Sequence, residues 1–135
     1  MNKIFKVGLI GCGHISETYF RAEKYFNNIK IIKCADINHG NAVRCAKTYK
    51  IQALTVNELL KDKEIEIVLN LTIPKAHYKV AKQALVNGKH VYSEKPLAIN
   101  FKDGKDLLRI AKKKSFILET LQTLFWVVVF KNQKN

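Results

Sequence analysis

Ile4-Phe5-Lys6-Val7-Gly8-Leu9-Ile10-Gly11-Cys12-Gly13-His14-Ile15-Ser16 is the stretch on which the fold turns. Residues 4–10 are a short apolar run that reads as a buried strand, and Gly11-Cys12-Gly13 ends it in a turn. Beyond the turn, Ile15, Thr18, Tyr19, Ala22 and Phe26 recur at helical spacing within 14–26. Asn27-Asn28 interrupts the helix, and residues 29–35 form a second, β-branched strand that stops at Asp36. Gly11-x-Gly13-x-x-Ser16 therefore lies between a strand and a helix, with an acid 20 positions after Ser16 at the end of the next strand. That order is the dinucleotide-binding fingerprint. Gly11 permits the tight turn, Gly13 lets a pyrophosphate approach the backbone, and the helix amides meet its charge. Ser16 stands in for the third glycine, a small residue where helix packs on strand. Asp36 is placed to accept bonds from the adenosine ribose hydroxyls. Its carboxylate repels a 2′-phosphate and no Arg follows at 37 or 38, so NAD is expected over NADP.

Outward from this unit the alternation continues. A helix is expected over 39–49 with Ala42, Val43 and Ala46 inward, then a weak strand at 52–54. Thr55 or Asn57 caps a short helix to Lys61, and residues 65–71 are a strand. Pro74 suits a helix's first turn; that helix runs to Asn87 and closes at Gly88. Residues 90–93 are a fifth strand, 101–114 a helix, and 115–118 the start of a sixth strand. Strand–helix alternation with short loops means right-handed βαβ units, hence an α/β, doubly wound parallel sheet with helices on both faces.

Composition narrows the function classes. The 135 residues carry 47% hydrophobic residues, ordinary for a folded domain, with no apolar run of membrane-spanning length. The formal charge of +13 invites a nucleic-acid reading, but 21 of the 24 basic residues are Lys, scattered along the chain. Base readers lean on Arg. Lys112-Lys113-Lys114 ends a helix, where cations offset the dipole. Abundant Ile and Asn beside Lys point to an AT-rich coding bias, so neither nucleic acid nor membrane is expected as a partner. Cys12, Cys34 and Cys45 form no CxxC pair, which fits a reducing, cytoplasmic compartment and no metal site. Leu9-Ile10-Gly11-Cys12 looks like a lipoprotein cleavage box, but the apolar stretch before it is too short for a signal core.

A second constellation, Asn70-Leu71-Thr72-Ile73-Pro74-x-x-His77, falls where a strand ends and a helix begins, beside the expected ligand crevice. Asn70 and Thr72 are expected to face the cofactor. Spacing by itself reads His77 as a helix-surface histidine, and leaves His14 either stacked near the cofactor or exposed. The fifth strand ends in Glu94-Lys95-Pro96-Leu97. A Lys there suits acid/base work or orientation of a substrate oxygen, with Glu94 to steer or pair it. Without context, the same residues are a charged loop.

Gly11-Cys12-Gly13-His14-Ile15, Asp36, Thr72-Ile73-Pro74-x-x-His77, and Gly88-Lys89-His90-Val91 leading into Glu94-Lys95-Pro96-Leu97-Ala98 stand in one order and spacing. In this the chain resembles the N-terminal half of the Gfo/Idh/MocA family, which includes glucose–fructose oxidoreductase and inositol dehydrogenase. The resemblance covers residues 3 to about 118 and implies an NAD(P)-dependent oxidoreductase acting on sugars, cyclitols and related polyols. It implies that Gly11, Gly13 and Ile15, with His14 between them in the motif, form the phosphate loop and that Asp36 binds ribose. It also implies that Thr72, Pro74 and His77 lie in a second cofactor loop, with Glu94 lining the cofactor site. Lys95 is the implied catalytic lysine, near nicotinamide and substrate, and a cis bond before Pro96 aims it into the cleft.

The resemblance also implies a second α/β domain that supplies most substrate contacts, and the expectation is a chain truncated before it. Residues 1–118 are read as the dinucleotide-binding domain, and 119–135 as an aberrant apolar tail. Read in a shifted frame with AT-leaning codons, the tail gives a Pro-Asn-Thr-Phe-Leu-Gly-Gly-Gly stretch similar to that of relatives. A frameshift near Leu118 is therefore expected, and the coding DNA decides it. Leu124 to Phe130 is apolar and free of charge and Pro, an aggregation signature. The expectation is an oxidoreductase's NAD-binding domain, inactive by itself. The alternatives are a non-catalytic dinucleotide module or split subunit, then a basic nucleic-acid binder.

Overall fold

The computed structural model describes residues 3–120. The apolar stretch 124–130 and all of the tail beyond Thr120 lie outside the described residues. The elements in chain order are β1 (Phe5–Ile10), α1 (Ile15–Glu23), β2 (Ile29–Ala35), α2 (His39–Tyr49), β3 (Gln52–Ala53) and α3 (Val56–Lys61). They continue as β4 (Ile67–Asn70), α4 (Pro74–Val86), β5 (His90–Ser93), α5 (Phe101–Lys114) and β6 (Leu118–Thr120). β6 runs past the expected domain boundary at 118.

All six strands pair in parallel, in the order β3-β2-β1-β4-β5-β6. The chain builds outward from β1 on one side, returns, and builds outward on the other. The order reverses between β1 and β4, so the ligand crevice of such a sheet lies at the carboxyl ends of those two strands. Alternate residues of β4 supply both faces. Ile67 and Leu69 join Leu9, Tyr19, Phe20, Ala42 and Ala46 beneath α1 and α2. Val68 joins Leu59, Ala81, Leu85, Val91 and Leu107 beneath α3, α4 and α5. A strand buried on both faces has no need of polar alternation, which is why the strands read as continuous apolar runs.

Local chemistry sets the helix ends. Thr55 caps α3 in a reciprocal box: its Oγ1 accepts from the Glu58 amide at 3.1 Å, and Glu58 Oε1 accepts from the Thr55 amide at 2.9 Å. Asn100 Oδ1 caps α5 through the Asp103 amide at 2.8 Å, and three lysines occupy its last turn.

Two expectations about buried faces need correction. Val43 is 49% exposed, and Cys45 takes the inward place on α2. In α1 the buried side chains are Ser16, Tyr19 and Phe20, while Ile15 is exposed. Phe20 faces α2, where it stacks on Tyr49 with ring centroids 3.8 Å apart. Neighbouring helices therefore rotated both stripes away from their best apolar reading. Among the described residues, no helix is long and apolar enough to cross a membrane.

Candidate functional site

β1 leads straight into the phosphate loop. Gly11 has φ of 106°, and its amide donates to the Ala35 carbonyl at 2.9 Å. A Cβ there would stand 2.5 Å from the Leu71 carbonyl carbon and oxygen, so a side chain is barred by sterics as well as by φ. The Cys12 amide donates to Asp36 Oδ2 at 2.7 Å, and the Asn38 amide to Asp36 Oδ1 at 2.8 Å. Two backbone amides thus hold the Asp36 carboxylate at the end of β2. The group stays half-buried and retains lone pairs for further donors.

Gly13 differs from Gly11. An added Cβ would meet nothing within 4 Å, so the space before it is open. Ser16, 3% exposed, donates its hydroxyl to the Gly13 carbonyl at 2.6 Å. α1 begins without a side-chain cap; His14 occupies the N-cap position and is exposed, as is Ile15. The Ser16 and Glu17 amides donate back to the Gly13 and His14 carbonyls at 3.1 and 3.2 Å, and this first turn is the positive end of the helix dipole.

The second loop is built from buried side chains. Asn70, fully buried at the end of β4, donates through Nδ2 to the His77 carbonyl at 3.0 Å. Its Oδ1 accepts from the Thr72 amide at 3.3 Å and the Thr72 hydroxyl at 2.6 Å. His77 is not a surface histidine. It has no exposed surface, Nε2 lies 2.5 Å from the Thr72 carbonyl, and Nδ1 bonds the Pro96 carbonyl. Burial follows from α4 packing: His77 lies one turn before Val80 and Ala81 on the inward face. Asn70 likewise turns its side chain into the loop and not toward the crevice. Thr72 is half-buried and Pro74, at the first position of α4, is exposed.

The Lys95–Pro96 bond is cis, as the resemblance implied. Lys95 is exposed at the carboxyl end of β5. The Glu94 amide donates to the Asn70 carbonyl at 3.0 Å, and its carboxylate accepts from the Tyr19 hydroxyl at 2.5 Å. Tyr19 was absent from the expected site. It reaches Glu94 from α1, so the helix that opens at the phosphate loop is bonded to the loop that carries Lys95. Burial, and then the Glu94 carboxylate, push the Tyr19 phenol well above its ordinary range. Helical spacing marked Tyr19 as inward; nothing near it in sequence marked its partner.

A dinucleotide fits these residues on three observations. Space is open before Gly13, the α1 amides carry no side-chain cap, and Asp36 is pre-positioned with unused lone pairs. Gly11, Gly13, His14, Ile15 and Asp36 converge at the end of β1, and Thr72, Glu94 and Lys95 at the ends of β4 and β5.

The sequence model of the GFO/IDH/MocA family, described as an oxidoreductase family with an NAD-binding Rossmann fold, matches residues 5–121. The chain is 32% identical over 114 residues to an inositol 2-dehydrogenase/D-chiro-inositol 3-dehydrogenase of Lactiplantibacillus plantarum, covering 82% of this chain and 33% of that protein. It is 32% identical over 111 residues to a glucose-6-phosphate 3-dehydrogenase of Bacillus subtilis, with 82% and 31% covered. Among solved structures, a biliverdin reductase from Synechocystis in complex with biliverdin and NADP+ superposes with a TM-score of 0.79 at 28% identity, over 85% of this chain and 37% of that one. The chain thus spans 31–33% of the length of these two curated relatives. The family match starts on the first residue of β1 and runs past the last of β6, taking in every element described, and the chain therefore belongs to the GFO/IDH/MocA oxidoreductase family in its NAD-binding Rossmann fold.

Proposed function

We propose that this chain is the dinucleotide-binding part of an oxidoreductase that moves hydride between NAD and a sugar, cyclitol or related polyol. The observation that carries the reading is the Asp36 carboxylate, fixed by the Cys12 and Asn38 amides beside an open phosphate loop. When bound, the nicotinamide supplies the hydride-accepting or hydride-donating carbon. Gly11, Gly13, His14 and Ile15 hold the pyrophosphate on the α1 amides. Asp36 takes the ribose hydroxyls. Thr72 and Pro74 border the crevice, and the buried Asn70 and His77 hold their loop in shape. Glu94 lines the site, and Lys95 moves a proton at the substrate oxygen or polarises it.

NAD is preferred over NADP because Asp36 sets a negative charge where the 2′-phosphate would lie, with Ile37 and Asn38 offering no compensating cation. By itself the chain binds dinucleotide and turns over negligibly. Substrate positioning supplies on the order of 7–11 kcal/mol of barrier reduction in favourable cases, and the relatives are about three times longer. A polyol is its small-molecule partner, neither nucleic acid nor membrane is engaged, and its compartment is the reducing cytoplasm.

Calorimetry with NAD and NADP tests this. NAD binds at least about tenfold more tightly, some 1.4 kcal/mol, and Asp36→Ala abolishes the preference. Equal affinity for the two overturns the NAD assignment. A folded chain that binds neither overturns the whole reading.

A further inference from the structure

Cys12 lies in the phosphate loop, Cys34 near the end of β2 and Cys45 midway along α2. Nothing in the dinucleotide site uses their thiols, yet the three sulfurs lie within 4.8 Å of one another. Cys34 is fully buried, Cys45 is 8% exposed and Cys12 is half-buried. We infer that Cys12, Cys34 and Cys45 form a three-thiolate site for a thiophilic d10 cation of the Cu(I), Zn(II) or Cd(II) class.

Buried cysteines often serve only as small apolar side chains. Two features set this cluster apart. First, a loop, a strand and a helix each contribute one sulfur to one point. Sulfurs bound at about 2.3 Å to a common ion sit about 4 Å apart, so an edge of at most 4.8 Å closes with a shift of under about 1 Å. Second, the cluster has an entrance. A cavity of 330 Å³ between α1 and α2 opens along the phosphate loop and is lined by Cys12, Gly13, His14, Glu17, Arg44 and Cys45, among others.

In the thiol form, Cys12 Sγ donates to the Ala35 carbonyl at 3.5 Å and Cys34 Sγ to the Ala42 carbonyl at 3.4 Å. Both are weak contacts, given up as the thiol protons leave and metal–sulfur bonds form.

The test uses the full chain, reduced and without oxygen, titrated with Cd(II) by its sulfur-to-metal charge-transfer absorbance. One equivalent binds, and all three thiols become protected from alkylation, as mapped by mass spectrometry. Cys12→Ser, Cys34→Ala and Cys45→Ala each weaken binding at least about 100-fold, with folding checked by circular dichroism. The wild-type protection map keeps the test decisive if Cys34→Ala fails to fold. A folded chain without the absorbance band, binding that survives loss of any one cysteine, or protection of fewer than three thiols overturns the site. The readout is metal by itself, so its outcome is separate from that of NAD binding.

Discussion

The loop after β1 and the loops after β4 and β5 sit side by side at the carboxyl ends of neighbouring strands, but they are made of different material. The first is backbone: a glycine at positive φ, an open glycine, uncapped amides and one carboxylate held by two N–H groups. The second is a buried side-chain network in which Asn70 and His77 bind Thr72 and Pro96 from within. A loop that grips a phosphate with main chain must keep side chains out. A loop that only presents residues must be held up from behind, and polar groups buried for that purpose need partners.

Substitution separates the two. Gly11→Ala has the largest effect, a loss of at least about 3 kcal/mol in denaturant unfolding, from the positive φ together with the 2.5 Å approach to Leu71. Gly13→Ala, two residues on, costs under about 1 kcal/mol and appears instead as weaker NAD binding in calorimetry. If both destabilise alike, the contrast between a packed and an open glycine is wrong. Next, His77→Ala removes the buried ring that sits between the Thr72 and Pro96 carbonyls and leaves a cavity, for about 2–4 kcal/mol in thermal or denaturant melts. A melt unchanged by this substitution breaks the claim that the second loop is held from behind.

Tyr19→Phe tests the bond between the two regions and costs about 1 kcal/mol at neutral pH. Its pH dependence has a definite sign. The folded phenol titrates above its unfolded value of about 10, so its stabilising contribution is complete below that pH and disappears as pH rises through the folded value. The advantage of wild type over Tyr19→Phe in melting temperature therefore shrinks above about pH 10. Thr55→Ala, distant from both loops, removes the α3 capping box for about 1 kcal/mol and leaves NAD affinity unchanged.

The same contrast explains how legible each part was. The order of elements, the parallel sheet and the phosphate loop could be read because each depends on local chemistry: apolar runs, Pro74 at a helix start, glycines at a turn. Asp36 was legible for a related reason, since β2 ends there at a fixed distance from the glycines. Spacing by itself leaves His77 on the helix surface because its partner Pro96 lies 19 residues away. Tyr19 was missed because Glu94 is 75 residues away. Val43 looked inward, yet α2 turned Cys45 to the core and brought it to Cys12 and Cys34.

The sequence by itself determined the doubly wound fold, the place of the phosphate loop and the family motifs, because strand and helix periods and glycine turns are set within a few residues. Tertiary structure alone decided that Asn70 and His77 point inward, that Tyr19 joins α1 to the Lys95 loop, and that three scattered thiols share one point. The Tyr19–Glu94 and His77–Pro96 bonds join residues 75 and 19 positions apart, and the pairing of β1 with β2 and β4, and of β4 with β5, brings such residues within bonding distance.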